Sequence, residues 1–176
     1  MKEKTLSSEY IYKGKILNLR KDLVQTTNGT STREIVEHEE VVVVIPFEKP
    51  DKIYLVKQFR KPLEKEILEA PAGCVDKNED ILSAAKRELV EETGFHAKTW
   101  VKLGSSYPSP GFSTELMHYY LATGLEQSQP SPDEDEEIEV VSLDLKTLEK
   151  MIFDNTIIDA KTIISCFLLQ KEMHYI

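Results

Sequence analysis

The sequence predicts an α+β fold, and three observations carry that prediction. Runs of β-branched and aromatic residues, Val41 to Phe47 and Ile53 to Phe59 foremost, read as strands. From Glu79 onward the apolar residues recur at helical spacing until Gly94, a usual helix-terminating residue, so this stretch reads as an amphipathic helix. Ahead of both, Asn28-Gly29 sits between two β-favouring stretches and marks a small antiparallel hairpin.

Composition bounds the rest. A chain of 176 residues suits one globular domain with a small appendage, and the division expected is an N-terminal arm over residues 1–39 and a main domain over 40–176. At 40% hydrophobic and 30% charged residues it has the balance of an ordinary soluble protein. No apolar run approaches membrane-spanning length, and Met1 to Ser8 lacks the apolar centre of a signal peptide, so a cytoplasmic location is expected. A net charge of −9 argues against general binding to nucleic acid or to anionic membranes. An anionic substrate would then need local positive charge or a metal ion. Cys74 and Cys166 are far apart and form no metal-binding pattern, and the four histidines are scattered, so neither type is given a catalytic role.

In chain order, Tyr10 to Val24 reads as a short turn around Lys13-Gly14-Lys15 followed by a strand, and Thr30 to Glu37 as the return strand after a type I′ turn at Asn28-Gly29. Val41 to Phe47 suits a strand buried on both faces, Pro50-Asp51 a turn, and Ile53 to Phe59 the next strand. The helix is expected to open near Glu79 with Asn78 as N-cap, carrying Ile81, Ala85, Glu88 and Glu92 along one stripe and Glu91 at its edge. Strands are expected at Ala97 to Ser106, Leu116 to Thr123 and Ile138 to Leu143. Tyr107 to Glu115, with two prolines and a glycine, reads as a stiff loop, and the acidic run Asp133 to Glu137 as a solvated one. Asp144 caps a helix through Phe153, and Asp159 precedes a last helix to about His174. Its residues Ile163, Ile164, Phe167 and Leu168 are expected to cover one face of the sheet.

The first of these helices carries the chemistry. Its core-facing stripe changes from apolar to carboxylate in the last two turns, and a carboxylate near a core persists only when it is paired, hydrogen-bonded or bound to metal. Glu88, Glu91 and Glu92 offer the hard, all-oxygen donors that Mg²⁺ or Mn²⁺ prefers. Arg87 can order one carboxylate but cannot neutralise three. By composition alone, a solvated Glu/Lys-rich helix is the commoner occurrence.

The spacing decides between them. Gly73, five residues, Glu79, seven residues, Arg87-Glu88, Leu89, one residue, Glu91-Glu92, one residue, Gly94, Phe95 resembles the complete Nudix box, a pattern that chance produces about once in 10⁸–10⁹ windows. The resemblance implies the family's αβα sandwich with a mixed sheet, and Mg²⁺-dependent hydrolysis of a nucleoside diphosphate linked to another group, with Mn²⁺ as the alternative ion. Further residues resemble the ADP-ribose pyrophosphatase branch: Gln58-Phe59-Arg60, Glu69-Ala-Pro-Ala-Gly73, and Pro110-Gly-Phe-Ser-Thr-Glu115 after the box.

The resemblance implies metal contacts at the Ala72 carbonyl, Glu88, Glu91, Glu92 and Glu136. It implies Glu134 as general base, with Glu137 equally placed if the register slips by a residue. Arg87 would orient the carboxylates, with Glu91 in the catalytic group. Arg60 and Glu115 would contact substrate, joined by Arg33 and Glu34 if the arm lines the pocket. The N-terminal hairpin would be the arm through which that branch forms homodimers, the other reading being extra edge strands in a monomer. The implied reaction is ADP-ribose to AMP and ribose 5-phosphate. GDP-mannose or another nucleotide sugar is the near alternative, and a non-catalytic ADP-ribose sensor the alternative of another class.

Overall fold

The computed structural model describes residues 2–128 and 137–173. Its strands are β1 (Lys4–Lys13), β2 (Leu17–Thr26), β3 (Gly29–His38), β4 (Val41–Glu48), β5 (Lys52–Arg60), β6 (Lys65–Glu69), β7 (Ala72–Cys74), β8 (Phe95–Ser106), β9 (Met117–Gln127) and β10 (Ile138–Asp144). The helices are α1 (Ile81–Thr93), α2 (Leu145–Phe153) and α3 (Ala160–Met173). The chain forms two compact units: the residues up to Glu40 together with Ser106–Leu116, and Val41–Ser105 together with the described residues from Met117 onward.

The first unit is an antiparallel sheet in the order β1-β2-β3. The expected hairpin is β2–β3, and β1 is an additional strand. Every residue of β1 is exposed, so no buried face imposed an alternating pattern that would have marked its first half as a strand. The hairpin turn also sits one residue early. Thr26 pairs with Gly29, leaving Thr27-Asn28 as the central residues. The positive φ falls on Gly29 (127°) and not on Asn28, so the turn is not the expected type I′, which needs positive φ at both central positions. The Thr26 hydroxyl explains the shift, since it accepts from the Asn28 N–H (3.3 Å) and donates to the Gly29 carbonyl (3.1 Å).

The proline-containing loop belongs to this unit and is stitched to β3. Val36 N–H donates to the Phe112 carbonyl (2.8 Å), and Thr114 N–H donates to the Val36 carbonyl (3.0 Å). The Thr114 hydroxyl accepts from His38 N–H (3.0 Å) and donates to the His38 carbonyl (3.2 Å).

The second unit is an αβα sandwich around a mixed sheet. Strand order is β10-β5-β4-β9-β8, with β6 beside β5 and β7 beside β4. β4 and β9 run parallel, whereas β5–β10, β5–β6 and β4–β7 are antiparallel. β4 is buried from Val41 to Phe47, as its unbroken apolar run requires. Its alternate residues serve different layers. Val41, Val43, Ile45 and Phe47 pack with Leu148, Cys166 and Leu169 of α2 and α3, and Val42 and Val44 pack with Ala84, Ala85 and Leu89 of α1.

Two expectations about helices are corrected. α1 starts at Ile81, not near Glu79, and its N-cap is Asp80, whose carboxylate accepts from Leu82 N–H (3.3 Å) and Ser83 N–H (2.9 Å). Asn78 instead takes a left-handed backbone (φ 70°) in the preceding turn. On α3 the buried residues are Thr162, Ser165, Cys166 and Leu169, while Phe167 is 66% exposed and Ile163 38%. Ile164 and Leu168 pack at the margin of the core. Thr162 sets this rotation, because its hydroxyl accepts from the Ala70 N–H (2.7 Å) and so turns that side of the helix inward.

Candidate active site

The site is built where β7 passes α1. β7 pairs with β4 through Val43–Ala72 and Val41–Cys74, and Val44 N–H donates to the Pro71 carbonyl (2.8 Å), which fixes the main chain of the Ala70-Pro71-Ala72-Gly73 segment. Gly73 lies against the carboxylate of Glu88, and a Cβ built there would overlap the carboxylate carbon and both of its oxygens. Positive φ is not the reason for this glycine, since its backbone is outside the left-handed region. Close approach is the reason. Gly73→Ala should therefore push the Glu88 carboxylate aside and lower turnover by about 10²-fold, with the melting temperature nearly unchanged. Steady-state kinetics beside a thermal melt check this, and full activity in the variant would contradict it.

Arg87 is the electrostatic centre. Its Nε and Nη2 donate to the two oxygens of Glu79 (3.0 and 2.9 Å), and its Nη1 donates to Glu88 (2.6 Å) and Glu91 (2.9 Å). Nη2 also donates to the Cys74 carbonyl (3.0 Å), tying the helix to β7. Hydrogen bonds to Glu79 lead the contributions that raise the Arg87 pKa above its ordinary value. The same contact holds the Glu79 carboxyl below its ordinary value, helped by the Asp76 N–H, which donates to it (3.1 Å). Glu92 is buried and accepts from the Ala72 N–H (3.0 Å), so its carboxylate lies beside the Ala72 peptide. Gly94 ends the helix with φ 69°, its N–H donating to the Val90 carbonyl (2.9 Å).

A second charged group stands at the end of β5. Arg60 donates through Nε and Nη2 to the two oxygens of Glu69 (2.6 and 2.9 Å), whose side chain is fully buried. Lys161 of α3 also bonds Glu69, and it contacts Asp159 (3.2 Å). Burial works against the charge on Arg60, but the Glu69 hydrogen bond and charge outweigh it and leave its pKa raised. The sequence marks Arg60 and, within Glu69-Ala-Pro-Ala-Gly73, Glu69, but nothing in it marks Lys161 or the pairing. Lys161 is 92 residues from Glu69, and no local pattern joins them.

The structure thus brings Ala72, Glu79, Arg87, Glu88, Glu91 and Glu92 together. Arg33, Glu34 and Glu115 belong to the first unit. Arg33 is paired with Glu3 and donates to Ser31 Oγ (3.0 Å), and Glu34 is exposed on the opposite face of β3, as neighbours in a strand must be. Glu115 is half-buried, its N–H donating to Ser113 Oγ (3.2 Å). Glu134 and Glu136 lie outside the described residues.

Among the described residues, no three acidic, histidine or cysteine side chains stand as a preformed metal cluster; the carboxylates are engaged with Arg87 and with the Ala72 amide. The donor chemistry nevertheless fits a hard divalent cation. Three carboxylates project from two adjacent turns of one helix, and Gly73 leaves open the space that one of them occupies.

Fold and site together describe a hydrolase for phosphate anhydrides of the loop–helix–loop type. The chain belongs to the Nudix hydrolase family: the NUDIX domain profile matches residues 37–164, and that of the nucleoside diphosphate sugar hydrolase N-terminal domain matches residues 3–36. The chain is 42% identical to the ADP-ribose pyrophosphatase of Bacillus subtilis (strain 168) over 175 residues, covering 98% of this chain and 95% of that protein. It is also 42% identical to a methanol dehydrogenase activator of Bacillus methanolicus over 173 residues, covering 97% and 94%. A crystal structure of an ADP compounds hydrolase superimposes with a TM-score of 0.89 at 22% identity, covering 99% of this chain and 95% of that one. No helix among the described residues is long and apolar enough to cross a membrane.

Proposed function

We propose that this protein hydrolyses the pyrophosphate bond of ADP-ribose, giving AMP and ribose 5-phosphate, with Mg²⁺ as cofactor and Mn²⁺ able to replace it. One observation carries the chemistry: the carboxylates of Glu88 and Glu92 lie against the Gly73 and Ala72 backbone, and Arg87 joins Glu91 to Glu88. The likeness to an ADP-ribose pyrophosphatase along nearly the whole chain supports the substrate. Glu88, Glu91, Glu92 and the Ala72 carbonyl would hold the ion, with Glu136 as a further contact. When bound, a divalent cation supplies charge neutralisation at the bridging phosphates and a lower pKa for the attacking water. The chain's own residues do the rest. Arg87 orients Glu88 and Glu91, Glu79 holds Arg87, Arg60 and Glu115 are substrate contacts, joined by Arg33 and Glu34 if the arm lines the pocket, and Glu134, or Glu137 if the register slips by a residue, accepts the proton of the water.

The working form we infer is a cytoplasmic homodimer. β1 supports this, being an edge strand with Leu6, Tyr10, Ile11 and Tyr12 exposed along it, which is a ready surface for a second copy. A light-scattering mass equal to one 20.2 kDa chain would set the dimer aside.

The test of the activity is product release with Mg²⁺ from ADP-ribose, ADP-glucose, GDP-mannose, NADH, diadenosine polyphosphates and dGTP analogues. ADP-ribose is expected to be preferred. Preference for another nucleotide sugar keeps the mechanism and changes the substrate, while saturable ADP-ribose binding without turnover makes the protein a sensor. The equal identity to the methanol dehydrogenase activator favours a second reading, action upon a dehydrogenase partner. A methanol dehydrogenase assayed with and without the protein tests it, and an unchanged rate removes it.

A further inference from the structure

We propose that Lys161, on the first turn of α3, is a positioning residue for Arg60, acting through the buried carboxylate they share. This rests on the reading of Arg60 as a substrate contact.

Glu69 is at most 1% exposed and has lost its hydration, so its charge must be met by protein groups. Two cations meet it. Arg60 takes both oxygens in a fork, and Lys161, itself only 13% exposed, bonds the Oε2 that Nη2 of Arg60 also uses. A guanidinium held this way has one orientation, in the plane of the carboxylate. Lys161 adds a second anchor to that plane, because a carboxylate bonded by one partner alone keeps a torsional freedom that two partners remove.

Lys161 is in turn held by Asp159, the residue before α3. Its ammonium contacts Asp159 Oδ1 (3.2 Å), while Asp159 Oδ2 accepts from the Thr162 N–H (3.0 Å) and hydroxyl (2.6 Å). Thr162 then accepts from the Ala70 N–H (2.7 Å), one residue after Glu69. The loop of contacts is closed: Glu69 is bonded from α3 at its side chain, and its neighbour Ala70 at the backbone. Two peptides further on, the Ala72 N–H holds Glu92. The start of α3 therefore braces both the cation at the end of β5 and the segment leading to the carboxylates. Asp159 limits the net charge of the group to zero, so Lys161 contributes orientation and not surplus positive charge.

The experiment is steady-state kinetics with ADP-ribose and Mg²⁺ on Lys161→Met, Lys161→Arg and Arg60→Ala, each with a thermal melt. Lys161→Met is expected to raise KM about tenfold with kcat changed by less than about threefold, and Lys161→Arg to restore most of the loss. Arg60→Ala should raise KM at least as much, and adding Lys161→Met to it should raise KM no further, since the two act as a unit. A lower melting temperature for Lys161→Met at unchanged KM would make Lys161 purely structural and overturn the proposal. If Arg60→Ala raises KM and Lys161→Met does not, Arg60 stays a substrate contact and the positioning role is lost. If Arg60→Ala leaves KM unchanged, the reading of Arg60 itself fails. Should Lys161→Met not fold, Lys161→Ala, which removes the donor but lets solvent reach Glu69, takes its place: a raised KM supports the role and wild-type KM rejects it.

Discussion

Replacing Glu92 with Gln should abolish nearly all Mg²⁺-dependent turnover, on the order of 10³-fold in kcat, while leaving the fold intact. The substitution is close to isosteric. The amide oxygen of the new side chain can still accept from the Ala72 N–H, the 3.0 Å bond that joins α1 to the segment before Gly73. Only the charge is lost, and with it a donor of the kind a hard cation requires. The protein should therefore melt within about 2 °C of wild type, because an exchange that preserves a buried hydrogen bond costs little. Turnover measured across a Mg²⁺ titration, beside a melt without metal, separates the two effects. Undiminished activity would remove Glu92 from the metal site, and a collapsed melt would make it a structural acid.

Arg87→Met should destabilise the metal-free protein by about 2 kcal/mol, somewhat below the loss for a fully buried ion pair because the Arg87 side chain keeps 30% of its exposure. The cost comes from what is left behind: Glu79, Glu88 and Glu91 lose the guanidinium that all three share. Two dependences follow. A carboxyl whose folded-state pKa is depressed adds stability above its unfolded pKa and loses it as pH falls through the folded value. Glu79 is such a group, held below its ordinary 4.5 by Arg87, so the difference in melting temperature between wild type and variant should narrow as pH falls below about 4.5. Mg²⁺ should also raise the melting temperature of the variant more than that of wild type, since in wild type the cation and Arg87 draw on the same carboxylates. Equal shifts would show that they do not.

Much of this was legible in the sequence, and the limits have physical reasons. The β4 run and the α1 stripe were readable because burial on both faces, or on one helical face, leaves a period in the residues themselves. The box residues were readable because their spacing is a single local pattern. The α1 cap was misplaced by two residues because Asn78, Asp80 and Ser83 all have capping chemistry, and only the left-handed turn at Asn78 selects Asp80. The apolar residues of α3 point to the wrong face, since Thr162 and Ser165 lie inside and Phe167 outside. A polar residue bonded to a distant backbone amide outweighs a local pattern, and that amide, at Ala70, is 92 residues away. The pairing of Glu69 with Lys161 is illegible for the same reason.

The attachment of the 106–116 loop to β3 bears on how this chain can be shortened. A truncation beginning at Val41 looks like the removal of an appendage, since it leaves every strand of the seven-stranded sheet and all three helices in place. It would nevertheless take away Val36 and His38, and with them every backbone partner that β3 gives Phe112 and Thr114. Glu115 would then stand on a segment whose neighbours had lost four hydrogen bonds at once. The unit of transplantation between relatives is accordingly discontinuous: a graft of the proline loop has to bring β3 with it.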